Sequence, residues 1–127
     1  MNNEKIHRFT DIKAWQEAHK SVVMIYEMTK VFPKSELFGL TSQMRRAAVS
    51  ISSNIAEGFG RKSYKEKVQF YYQAQGSLIE LENQLLVSKD VKYIDKTMFN
   101  EVAQQIIIAH QLLQGLIKKS KTLIPNS

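Results

Sequence analysis

The sequence predicts an all-α protein, an antiparallel up-down-up-down four-helix bundle, on three observations. Apolar residues recur every three or four positions in four separate stretches. The joints between those stretches are short and carry helix start and stop signals. No stretch alternates polar and apolar residues as a half-buried strand does, and five Gly and two Pro in 127 residues are too few for a turn-rich all-β fold.

The first helix is expected over 12–31. Asp11 stands where an N-cap belongs, and Trp15, Ala18, Val22, Ile25, Tyr26 and Thr29 follow a helical period. Pro33 disfavours helical geometry in Phe32 and so ends this helix near Val31. The second helix is expected over 36–59, opened by Ser35 or Thr41, with Gly58 and Gly60 providing a left-handed exit. Its apolar row is Leu40, Met44, Ala47, Ala48, Ile51, Ile55 and Phe59. Ser63 and Glu66 match a capping box, so the third helix is expected over 64–88, with Val68, Tyr71, Ala74, Leu78, Leu81 and Leu85 inward. Asp95 caps a fourth helix over 96–119, which buries Phe99, Val102, Ile106, Ala109, Leu113 and Leu116. Matched lengths and short connections suit one bundle domain over residues 1–127, with frayed ends.

The second helix carries a second row beside its apolar one: Gln43, Arg46, Ser50, Asn54 and Glu57. A helix in a monomer needs one apolar face only. Small hydroxyls, an amide and opposite charges at helical spacing suggest that this flank meets another helix. The third helix has a similar row in Gln73, Ser77, Glu80 and Gln84, beside a Gly76 whose lost propensity of about 1 kcal/mol suggests close approach by another backbone. Arg46 is expected to pair with Glu80 or Glu57, because an unpaired buried charge is very costly. The competing reading leaves both rows in water.

Chemistry is sparse. With no Cys, disulfides, thiolate metal sites and a Cys nucleophile are excluded, and a reducing cytoplasm is compatible. His7, His19 and His110 are scattered, no HExxH or His-x-x-x-His pair exists, and no metal or cofactor is expected. His19 and His110 have the chance to meet across the first and fourth helices. No Ser–His–acid set, catalytic carboxylate pair or phosphate loop stands out, so no catalytic residue is assigned and a non-enzyme is expected. The start MNNEKIHRFTD lacks the apolar core of a secretory signal, and no apolar run nears the roughly 20 residues of a membrane span. The expectation is a cytoplasmic protein without a membrane partner.

The net charge is +6, and it is spread along the chain as +2, +2, 0 and +2 over residues 1–34, 35–62, 63–94 and 95–127. Such a field favours polyanions without forming a dedicated basic arm. Basic residues stand beside aromatics around the exit of the second helix, an arrangement able to hold phosphate and stack bases. Arg45, Arg61, Lys62 and Lys65 are the candidate nucleic-acid contacts. The alternative is a protein–protein scaffold with incidental charge.

The run LTSQMRRAAVSISSNIAEGFGR, followed by SYKEK and GSLIELENQL, resembles the four-helix bundle family encoded in bacterial 23S rRNA intervening sequences. Phe9-Thr-Asp-Ile-Lys-Ala-Trp15 and Phe32-Pro33 fit the same pattern, and the resemblance covers about residues 8–119. Gln75 is a modest departure. The resemblance implies an up-down bundle assembled as a ring-like homopentamer, in a family whose molecular activity is not established. A related branch, the accessory variability protein of diversity-generating retroelements, is a basic pentamer that binds a reverse transcriptase and nucleic acid. That analogy supports RNA or a nucleic-acid-bound protein as the expected partner, while the family resemblance implies that Arg46, Ser50, Asn54 and Glu57, with Ser77 and Glu80, are placed for specificity within or between subunits.

Overall fold

The structure is a computed structural model and describes residues 5–125. Among these residues lie four α-helices and no strand: α1 Lys13–Thr29, α2 Leu40–Phe59, α3 Tyr64–Asp90 and α4 Lys96–Thr122. Short 3-10 turns precede α1 at Phe9–Asp11 and α2 at Lys34–Glu36. Each helix packs on two neighbours, α1 on α2, α2 on α3, α3 on α4 and α4 back on α1. The inward rows read from the sequence form the core: Ile25, Met44, Ile51, Ile55, Leu78, Leu81, Ile106 and Leu113 are fully buried. Tyr26 is the exception, since it turns outward beneath Arg45.

Two caps are as expected. Ser63 Oγ accepts from the Glu66 N–H at 3.2 Å, and Asp95 Oδ1 accepts from the Met98 N–H at 2.8 Å. Two others differ. Asp11 closes the preceding 3-10 turn instead, accepting from the His7 and Arg8 N–H groups, while Ile12 opens α1 with no side-chain cap. The opening of α2 falls at Gly39, because residues 34–36 are taken by the 3-10 turn, and neither Ser35 nor Thr41 caps it. Glu36 does so from outside the helix, with Oε1 accepting from Leu40 N–H at 3.0 Å and Oε2 from the Tyr93 hydroxyl at 2.7 Å. These bonds favour the charged carboxylate and hold Glu36 below the usual carboxylate range.

The glycines also differ from expectation. Gly60 ends α2 with right-handed geometry (φ −77°), and no described glycine has a positive φ. The left-handed exit belongs to α3, at Lys92 (φ 66°). Lys92 N–H donates to Lys89 O and Tyr93 N–H to Ser88 O, the paired bonds of a Schellman ending. Gly58 is instead a packing residue: a Cβ built there would lie 2.7 Å from Tyr71 Cε1 and 3.0 Å from Phe70 Cβ. Close approach therefore occurs at Gly58, whereas a Cβ at Gly76 would meet nothing within 4 Å.

Candidate functional site

Contacts along the helix pairs decide which surface residues come together. Between α2 and α3, Ser88 Oγ lies 3.3 Å from Met44 Sδ, Ser50 Oγ lies 2.8 Å from Ser77 Oγ, and Gly58 rests against Tyr71. Between α3 and α4, the Lys89 amine sits over Phe99, His110 Nδ1 is 3.8 Å from Glu82 Oε2, and Lys121 Nζ is 3.3 Å from the Tyr72 hydroxyl. These pairs bring the end of α2, the start of α3 and the end of α4 to one end of the molecule. The segment leading into α1 joins them, since Ile6 and Ile12 border the same cavity as Phe59, Tyr64, Leu116 and Lys119.

This convergence collects the charge. Residues 5–13, 57–67 and 118–123 hold ten basic groups: Lys5, Arg8, Lys13, Arg61, Lys62, Lys65, Lys67, Lys118, Lys119 and Lys121. The acidic groups in those segments are Asp11, Glu57 and Glu66. The remaining described residues carry eight basic and eight acidic groups and cancel. One end of the bundle thus carries the whole positive excess of the described chain. Cations this dense focus a positive field that attracts polyanions.

Several of these cations are held by local structure. The Arg61 guanidinium lies 4.4 Å from the Phe70 ring centroid, which fixes it just beyond the last turn of α2. Lys67 donates to Phe59 O at the end of α2, with its ammonium 5.3 Å from the Phe59 centroid and 5.7 Å from that of Tyr64. Partial burial lowers the Lys67 pKa, because desolvation disfavours the ammonium. Tyr71, buried behind it, is pushed up to about 12 by burial and by the nearby Tyr64, so it stays a neutral hydroxyl. Lys62 and Lys65 are exposed. Of the candidate nucleic-acid contacts, Arg61, Lys62 and Lys65 share this end, and Arg45 does not. Arg45 lies sixteen positions before Arg61, roughly 24 Å along the helix. It is half-buried between α1 and α2, donating to Thr29 Oγ1 at 2.9 Å and lying over the Tyr26 ring.

The polar rows divide in two. Ser50, Asn54 and Ser77 are half-buried at the α2–α3 contact, where Asn54 Nδ2 donates to Ser50 O at 2.9 Å and to its Oγ at 3.1 Å. Gln43, Arg46, Glu57 and Glu80 are exposed. Arg46 forms no ion pair with Glu57 or Glu80 among the described residues; Glu80 accepts instead from Gln84 Nε2. His19 does not partner His110: it stacks on Trp15 at 4.8 Å, while His110 faces Glu82. No described group of three or more His, Asp or Glu has the placement to hold a metal ion. No helix of the described residues is long and apolar enough to cross a membrane.

Sequence reasoning missed a second surface beside the outward half of that row. Phe38, in the loop before α2, is 93% exposed, and it borders an open groove with Leu37, Tyr26, Val49 and Arg46. A single exposed Phe in a non-periodic loop gives no signal in the sequence. Glu36 was overlooked for a similar reason, since its partner Tyr93 lies 57 positions away.

Comparison with known proteins adds a family and a fold. The profile of the 23S rRNA-intervening sequence protein family matches residues 10–115. The structure is similar to the crystal structure of a protein with unknown function from the S23 ribosomal protein family of Bacteroides thetaiotaomicron VPI-5482. The two share 21% sequence identity over 83% of this chain and 95% of that one, with a TM-score of 0.76. At that identity the likeness speaks to fold alone. No curated protein matches the chain.

Proposed function

Because this chain belongs to the 23S rRNA-intervening sequence protein family, we propose that it is a non-enzymatic, homo-oligomeric bundle that binds RNA, or a protein carrying RNA, through its basic end. Its helices run up-down-up-down, a reading supported by the α2–α3 and α3–α4 contact pairs. The observation that carries the binding role is the collection of ten cations against three acids at that end. Multivalent phosphate is the chemistry such a surface suits, since each neutralised phosphate releases condensed counterions. Assembly of several copies multiplies the field and brings several such ends together. The exposed Phe38 and its groove, next to Arg46 and the outward row of α2, support contact with a further copy, because apolar surface open to water favours burial.

The test is RNA binding by mobility shift at two salt concentrations. With about five phosphates engaged, single-strand affinity is expected to fall roughly a hundredfold from about 50 to 200 mM salt. Absence of binding at the lower concentration, or an affinity that ignores salt, would reject phosphate-driven recognition and leave the protein-scaffold reading.

A further inference from the structure

The basic end contains an apolar cavity of about 200 Å³, bordered by Phe59, Tyr64, Tyr71, Leu116, Lys67 and Lys119 among others. It is smaller than the roughly 300 to 1,000 Å³ of sites for drug-sized ligands, so it suits one ring system and no larger group. Phe59 and Tyr64 flank the same lysine ammonium at less than 6 Å from each centroid, so the two rings border one small space. A charge already occupies that space through its attraction to the two rings. A flat, uncharged π-system would fit it better, because the rings are apolar and the ammonium is partly dehydrated there.

We propose that this cavity takes a single unpaired nucleobase, stacked against Phe59 and Tyr64, while Lys67 and Lys119 move to the phosphates on either side. The inference rests on the RNA-binding reading above and narrows it to single-stranded RNA. Bases within a duplex are stacked on one another and cannot enter a pocket, whereas those of a loop or free end can. Charge complementarity supports the choice of occupant: Lys67 and Lys119 border the cavity itself, and it lies at the end of the molecule that holds the positive excess, so an entering base brings its phosphates to cations.

The experiment uses a short RNA carrying one 2-aminopurine, offered as a single strand and as a duplex of the same sequence, at one low salt concentration. The single strand is expected to bind at least about fivefold more tightly than the duplex, with its fluorescence changing on binding as the base stacks. Tyr64 is exposed enough for substitution without harm to the core. Tyr64→Ala is expected to remove that preference and the fluorescence change while leaving duplex affinity intact, and Tyr64→Phe, which keeps the ring, is expected to retain both. Equal affinity for the two forms, or full single-strand preference in Tyr64→Ala, would overturn the cavity assignment and leave the RNA-binding reading standing. Failure of both forms to bind would overturn the two together.

Discussion

Arg61→Glu combined with Lys62→Glu is expected to reduce RNA affinity roughly 10- to 100-fold at low salt, with the fold intact. The two substitutions change the charge of the basic end by four units. Each unit is worth about 1 kcal/mol against a phosphate at 4 Å in water, and less where salt screens it. Two or so kcal/mol of net loss gives that range of affinity. The structural cost is small: Lys62 is exposed, and Arg61 gives up only its contact with the Phe70 ring, worth about 0.5 to 1 kcal/mol at an exposed site. The matched control is Lys30→Glu with Lys34→Glu, which makes the same charge change far from the basic end. If the control weakens binding as much as the first variant, net charge matters and its location does not.

Gly58→Leu is expected to destabilise the protein by about 2 to 3 kcal/mol or more. The α2 backbone approaches Tyr71 so closely that even a Cβ would sit 2.7 Å from the ring, and Tyr71 is itself only 2% exposed. A leucine there must push α2 and α3 apart or drive Tyr71 out of position, the overpacking that costs about 1 to 3 kcal/mol where smaller insertions are made. For a chain of this size the melting temperature should fall by roughly 6 to 15 °C. Gly76→Ala provides the contrast. It replaces the mid-helix glycine of α3 where nothing lies within 4 Å, so the gain in helix propensity, up to about 1 kcal/mol, should raise the melting temperature in the single chain. A tolerated Gly58→Leu would contradict the packing role given to Gly58. A fall with Gly76→Ala would place another backbone against α3, as in an assembled form.

Helix number, inward rows and two caps were legible because they depend on local spacing. Burial of Ile51, Leu78 and Leu113 follows from a 3.6-residue period, and Ser63 and Asp95 cap residues three positions ahead. Asp11 and Ser35 had the right chemistry at a helix start, yet each lies within a 3-10 turn and caps no α-helix, while Thr41 falls inside α2, one residue past its first. The two glycines of α2 looked like an exit because glycine relieves a left-handed backbone. At Gly58 the same lack of a side chain serves contact with Tyr71, a residue thirteen positions away that no local pattern connects to it.

The site was legible in part. Arg61, Lys62 and Lys65 stood out because they are neighbours in sequence. The larger share of the basic end was hidden, since Lys5, Arg8 and Lys13 lie more than 100 positions before Lys118, Lys119 and Lys121. Counted along the chain, the excess looks evenly spread; only the packing of helix ends brings it together. Arg45 was grouped with Arg61, Lys62 and Lys65 in the sequence, yet the fold sets it apart from that end, engaged by Thr29 and Tyr26 of α1. The missing Arg46 pair shows the same limit, because three- and four-residue spacing fixes a shared face and says nothing of which partner the far helix presents.

Lysine acetylation footprinting with and without bound single-stranded RNA tests the location of the polyanion surface most directly. Lys62, Lys65, Lys118, Lys119 and Lys121 are expected to be protected by RNA, while Lys30, Lys34, Lys89, Lys92 and Lys96 keep their reactivity. Uniform protection across both sets, or protection confined to the second, would contradict the assignment of binding to the basic end.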